Sequence, residues 1–417
     1  MEPYKKTVVF QGSSPLACRV PGKVFLPVHG QGTFLFDNSN TTDLCVFVFY
    51  DDEKNNGILV EFARGSVIVN QFPEGNALQD PNNVSGLIPN KGVSYWFSID
   101  SQNQTLYAGV GEARLETSIY SYTFPKGDPQ VWETNKKCLE SLTTLYIAEE
   151  SVTLQPRRLL RDPVTHKIPM LIKEMHSLTM NHIAENRYLP HSMLNEAGKH
   201  MFGCIAGKNF HLNTKDFPDF TKAIERSIVT PGLWCYETLQ KKMKEFNPDS
   251  PNIEETYLRI TLNQNNGESP GIPYVMEIWP IGHYSPIHNH AGANAIIRVL
   301  HGKISVNLYA YLCEEKDGIF PFRTDELKKE DITWITPGLN QTHMLINPKT
   351  NKETCITLQC YMYGEKNSIH YDYFDYIDDT GAKQQYEPDS DMDFLVFKEL
   401  MKEEWDARPK KKWWKCF

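Results

Sequence analysis

The segment Gly282-His283-Tyr284-Ser285-Pro286-Ile287-His288-Asn289-His290 places two histidines one residue apart, and a third, His343, follows the turn at Pro337-Gly338. In an extended strand, residues i and i+2 share a face. His288 and His290 therefore present two imidazoles to the same side, and an apolar strand leads from them to Gly302. Residues 331–335 read as a further strand, the Pro-Gly turn brings the chain back, and His343 supplies a third nitrogen from an adjacent strand. A lone histidine in a strand is ordinarily a satisfied polar residue. The pair H-x-H, bracketed by glycines and followed about fifty residues on by P-G-x4-H-x3-N, points to a metal held inside a small β-barrel.

The rest of the chain divides by pattern. Short β-like runs at 23–28, 44–50, 57–62, 66–69, 95–100 and 105–110, separated by turn-rich pieces such as 51–57, predict an antiparallel β-sandwich over residues 1–150. Apolar residues at helical spacing over 169–176, 219–226 and 233–243 predict helices, with 151–212 as a helical connector and a break at Pro248-Asp249-Ser250-Pro251. A second β-rich region follows over about 255–365, within a domain spanning 213–417. Its end is acidic around 372–393, helical near 394–405, and closes on Lys410-Lys411-Lys412-Trp413-Trp414-Lys415-Cys416-Phe417, read as a surface tail. The fold class expected is mainly β: sandwich, helical connector, barrel.

Composition removes several function classes. A net charge of -9 argues against a protein that tracks nucleic-acid phosphates. No run approaches the roughly 18 apolar residues of a membrane helix, and the start lacks a signal-peptide core. Nine scattered cysteines without a CxxC pair suit a reducing compartment. N-x-S/T sequences at Asn40, Asn83, Asn103 and Asn340 matter only in a secreted chain, and a glycan on Asn340 would crowd His343. The cytoplasm is the expected location. The acidic run Asp375-x-x-Asp378-Asp379 lacks the glycine and terminal glutamate of a calcium loop and reads as a solvated face. His29, His176, His182 and His191 lack paired spacing and read as structural or exposed.

The two-part histidine pattern resembles the cupin superfamily, whose first motif reads G-x5-H-x-H-x3,4-E-x6-G; Gly282, His288, His290 and Gly302 fit it. Ala295 stands where that motif has its glutamate, leaving three neutral imidazoles. Three-histidine cupins with this loss resemble thiol dioxygenases, of the cysteine dioxygenase type. The run from Trp279 to His290 matches that family's W-x2-G-H-x-S-x-I-H-x-H, and Tyr257-Leu258-Arg259 matches its Y-x-R. Thr357-Leu358-Gln359-Cys360-Tyr361 aligns with its S-x-H-x-Y, with Gln359 and Thr357 in place of the histidine and serine. The match spans about a third of the chain, roughly 215–365.

What this resemblance implies is specific. His288, His290 and His343 would hold Fe(2+); Arg259, with Tyr257 and Gln359 beside it, would bind the substrate and clamp its carboxylate; Tyr361 would stand next to the iron. The reaction implied joins O2 to a small carboxylated thiol, cysteine first, giving the sulfinic acid. The thioether that animal members form to the tyrosine cannot form here, because the cysteine's position is Ala295. A cupin that binds a ligand or metal without turnover is the alternative from another class, and a zinc or manganese isomerase-type cupin is a third. The first domain resembles the farnesoic-acid methyltransferase-like jelly-roll module. No motif in it names a ligand, and Tyr95 and Trp96 read as core rather than as a stacking platform.

Overall fold

A computed structural model describes residues 23–37, 44–73, 75–80, 85–88, 93–147, 157–263, 274–313, 320–362 and 374–409. The first 22 residues, the acceptors Asn40 and Asn83, and the lysine-rich end 410–417 lie outside the described residues. The chain forms two compact units, Met1–Lys167 and Ile168–Phe417. Most of the segment 151–212 therefore counts with the second unit. It carries the helices Met180–Ala184 and Glu196–Ile205 together with the short strands Leu171–Lys173 and Tyr188–Pro190.

The first unit is a sandwich of antiparallel sheets. One runs Lys23–Phe25, Thr144–Ile147, Leu44–Tyr50, Gly57–Ala63, Ser66–Phe72, Asn76–Leu78; the other runs Arg157–Leu160, Gln31–Asp37, Ser94–Asp100, Thr105–Val110, Ser118–Thr123. Each of the six runs expected from the sequence holds a strand, the first of them only over Lys23–Phe25. Alternation decides what faces inward. Phe34 and Phe36 of one sheet meet Phe47 and Phe62 of the other, with Phe36 4.6 Å from Phe47 and 5.1 Å from Phe62 between ring centroids. Tyr95 and Trp96 are fully buried, and the Tyr95 hydroxyl accepts from the Ile88 amide at 2.8 Å. They are core residues, as their setting in an apolar run requires.

In the second unit, an eight-stranded sheet runs Tyr188–Pro190, Leu171–Lys173, Ile332–Ile335, Asn294–His301, Cys355–Met362, Tyr274–Trp279, Leu258–Asn263, Met392–Asp393. A six-stranded sheet runs Arg323–Lys328, Lys303–Leu308, His343–Ile346, Ile287–His288, Phe374–Ile377, Lys383–Tyr386. Their inner faces share one core in which Leu171, Trp279, Val299 and Cys355 meet Val306, Leu308, Leu345 and Tyr376. Two antiparallel sheets closing on one core match the barrel-like β architecture expected from the sequence. Gly302 carries the chain from one sheet to the other at φ +68°, where a β-carbon would lie 2.5 Å from the Thr354 carbonyl oxygen. Only glycine meets both conditions at low cost.

Helices Phe220–Val229 and Trp234–Lys242 form where helical spacing predicts them, and pack with Phe394–Asp406 over the outer face of Leu258, Ile260 and Ile278. The run 169–176 is a correction. It forms the strand Leu171–Lys173 and a single 3-10 turn, because consecutive Leu171 and Ile172 are buried in different clusters on opposite faces. The acidic stretch also holds the strand Phe374–Ile377, paired to Ile287–His288. The Asp378 carboxylate accepts from the Thr380 and Ala382 amides and from Gln384 at 2.8–3.0 Å, so it closes its own hairpin.

Phe36→Ala removes a ring packed against four others in the sandwich core. It should cost about 3–5 kcal/mol, read as a lowered midpoint in urea unfolding; an unchanged midpoint would show that this interior is not close-packed.

Candidate metal centre

His288 lies directly opposite His343 on neighbouring antiparallel strands, Ile287–His288 and His343–Ile346. His290 follows two residues on, at the turn into Asn294–His301. The register thus brings together all three histidines singled out in the sequence. Their ring centroids stand 4.7–4.9 Å apart, and one nitrogen from each falls within 4.8 Å of the others. Among the described residues no carboxylate or thiol joins the group, and Ala295, at the motif's glutamate position, is packed with Val275, Ile297 and Ile335.

Hydrogen bonds settle which nitrogens point inward. His288 Nδ1 lies 3.0 Å from the Pro286 carbonyl oxygen and His343 Nδ1 3.0 Å from that of Asn340. A carbonyl can only accept, so both Nδ1 atoms carry the proton and both Nε2 atoms keep a lone pair. His290 Nε2 and His343 Nε2 stand 3.3 Å apart, the separation expected of two donors each about 2.1 Å from a shared first-row ion. His290 Nδ1 is buried and has no hydrogen-bond partner among the described residues. Burial lowers the pKa of all three rings: His288 to about 4, with the Arg259 charge adding to the effect; His343 to about 3, with His288 adding; and His290 well below its usual value. The residues fit a divalent metal. They form a set of neutral nitrogen donors, His290 and His343 buried and His288 half-buried, with two tautomers already set for ligation.

The Asn340 side chain is buried and donates to the Trp334 carbonyl at 3.0 Å, so it is closed to a glycan. The histidines expected to be structural or exposed are so, His29 lying exposed. His176 meets Glu174 at 2.9 Å on the surface, His182 completes a capping box with Thr179, and His191 stacks on Phe202.

A pocket opens over the trio, lined by Tyr257, Arg259, Glu277, Trp279, Gln359 and Tyr361, with Phe246, Phe374, Tyr376 and Tyr386 completing its walls. Every substrate-side residue proposed from the sequence is there. Tyr361 lies across from Ala295 on the neighbouring strand, its ring 5.6 Å from that of His290. Tyr257 stacks on Trp279 at 4.3 Å. What the sequence reading missed is Glu277. The register of Leu258–Asn263 against Tyr274–Trp279 sets it opposite Arg259, and Arg259 Nη1 donates to Glu277 Oε1 at 3.0 Å.

The pair continues as a chain of buried polar groups. Gln359 Nε2 donates to Glu277 Oε2, and the Tyr361 hydroxyl donates to Gln359 Oε1, both by short contacts. Gln359 Nε2 also reaches Thr357 Oγ1 at 3.2 Å. Burial pushes the Glu277 pKa up, while the Arg259 charge, followed by the Gln359 hydrogen bond, pulls it back toward the ionised form. The available signal for Glu277 was a single charged residue inside the apolar run Tyr-Val-Met-Glu-Ile-Trp, since an acid in a buried strand needs a partner.

No family model matches the sequence. Solved structures that resemble it include the Cnp3 cupin domain of Schizosaccharomyces pombe (17% identity, 26% of this chain and 64% of that one, TM-score 0.20). A cupin 2 domain-containing protein from Halorhodospira halophila is 16% identical over 38% of this chain and 86% of that one, with a TM-score of 0.21. A DMSP lyase from Ruegeria pomeroyi is 18% identical over 27% and 49%, with a TM-score of 0.20. The chain spans under two thirds of the length of the first of these. Likenesses this slight do not reach chemistry, which has to be argued from the site.

The lowered histidine pKa values set an acid limit on the metal-free protein. The unfolded chain protonates near 6.5 but the folded rings only near 4 and 3, so stability is full above about 6.5 and is lost as pH falls through that window. Each ring should contribute a slope of about 1.4 kcal/mol per pH unit. Urea unfolding of metal-stripped protein across that range should therefore be shallower in pH for His288→Asn than for the wild type; equal slopes would mean that His288 is not held neutral.

Proposed function

We propose that the chain is a non-haem iron thiol dioxygenase, joining a small thiol and O2 to give a sulfinic acid. The observation that carries the reading is the converging trio of neutral imidazoles with no carboxylate among them, under a pocket walled by aromatic rings. Three neutral donors leave the ion its full double charge, which favours a soft anionic ligand such as a thiolate. When bound, Fe(2+) would supply Lewis acidity toward the thiol and a redox-active centre through which electrons pass from sulfur to O2.

The chain's residues do the rest. His288, His290 and His343 provide the lone pairs, and the Pro286 and Asn340 carbonyls hold two of the rings in register. Phe374 packs against His290 at 4.6 Å, and the surrounding aromatics keep water from the reacting sulfur. Gln359 orients the Tyr361 phenol over the pocket, in the role that the resemblance gives to a histidine. The stoichiometry closes without an external reductant: sulfur loses four electrons, O2 gains four, and both oxygen atoms end on sulfur. Which end group the substrate carries is a separate matter, because the guanidinium that would clamp a carboxylate already meets Glu277.

No described helix is long and apolar enough to cross a membrane. Cys204, Cys235, Cys355 and Cys360 are free thiols, and Asn340 is closed to glycosylation. The free thiols and the closed Asn340 support a reducing compartment, the cytoplasm.

Purified protein should contain about one iron per chain and produce sulfinate from a small thiol under air, while His343→Ala should lose iron and product together, at least about a hundredfold in activity. Mass spectrometry of product and metal analysis of both proteins provide the check. Sulfinate at wild-type rates from the variant would remove the site; iron without thiol-dependent O2 uptake would assign a ligand-binding cupin instead.

A further inference from the structure

Arg259 is the one Lys or Arg among the described residues that line the pocket, so it is the cation to which a ligand's carboxylate would go. It is more than nine-tenths buried, as is Glu277, and the two are paired across adjacent strands at 3.0 Å. Its place is fixed from behind as well. The Arg259 amide donates to Asp391 Oδ2 at 2.7 Å, and Asp391 in turn receives Lys242 Nζ at 3.1 Å. Glu277 is equally constrained, its second oxygen accepting from Gln359, whose own carbonyl is engaged by Tyr361.

A guanidinium that already holds one carboxylate in a buried site has its charge balanced. A second carboxylate at Arg259 would face Glu277 at close range in a medium that screens poorly, with no other Lys or Arg among the described lining residues beside it. Glu277 Oε1 already takes the Arg259 Nη1 donor that a substrate carboxylate would use.

We propose that Glu277 plugs the Arg259 clamp, so that the site takes a small thiol carrying no carboxylate. The inference rests on the thiol dioxygenase reading and makes Glu277 the residue that selects the substrate. Removing its charge while keeping its shape turns Arg259 toward the ligand.

The experiment uses cysteamine and cysteine, which differ only in the carboxylate. Iron-loaded full-length protein is titrated anaerobically with each thiol by calorimetry, and O2 uptake and sulfinate are then measured for each. The wild type should bind cysteamine at least about tenfold more tightly than cysteine, and Glu277→Gln should shift that ratio toward cysteine by about tenfold or more. Tighter binding and faster oxidation of cysteine by the wild type would overturn this inference and leave the dioxygenase reading standing, as would a ratio unmoved in a folded Glu277→Gln protein. Sulfinate from neither thiol would overturn both. Should Glu277→Gln fail to fold, the wild-type ratio decides alone.

Discussion

Two strands meet with His288 directly across from His343, and nearly everything at the candidate site depends on that register. Side chains alternate along a strand, so a slip of one residue would turn a ligand out of the barrel and present its neighbour instead. The register is held from several sides. Ile287 and His288 pair with Ile377 and Tyr376 on their other edge, and the Ser285 amide donates to the Leu345 carbonyl at 2.9 Å. The Leu345 amide returns a bond to Ser285 Oγ at 3.1 Å. Gly282 and Asn347 add a further bond at 2.7 Å where the strand begins. Short strands with few ladder bonds of their own are thus pinned by their flanks.

The second organising element is polar rather than metallic. Thr357, Gln359 and Tyr361 alternate on one face of Cys355–Met362, and the neighbouring strands bring Glu277 and Arg259 alongside. None of these groups is stable alone in a barrel interior, since a buried ion stripped of its partner costs about 3–5 kcal/mol. Together they satisfy one another, and the electrostatic character of the pocket follows: the pair is neutral as a unit, with one guanidinium matched by one acid.

Much of this was legible in the sequence. The spacing H-x-H, with a third histidine after Pro337-Gly338, was enough to assemble the trio, because two-residue periodicity is local and unambiguous. The sandwich strands showed for the same reason. The strand Leu171–Lys173 did not, since a short apolar run buried on two faces mimics helical spacing. The strand Phe374–Ile377 was hidden by acidic neighbours that serve the turn after it, and with it went the pocket walls Phe374 and Tyr376. The helix Pro129–Glu140 carried a readable start, Asp128 capping the Gln130 and Val131 amides ahead of Pro129, but a weak apolar stripe. Glu277 was invisible for a deeper reason. Its partner lies eighteen residues away across a register that only the folded sheet defines.

The unshared Nδ1 of His290 distinguishes that ring from its two companions. His288 and His343 are each tethered at the rear by a backbone carbonyl, whereas His290 is steadied by ring contacts, stacked on His343 and Tyr361 and tilted against Phe374. Stacking restrains tilt but not in-plane swivel. A bound ion would therefore rest on two rings fixed from behind and one held by ring packing, and that third ring is the one freest to adjust to the ion's size.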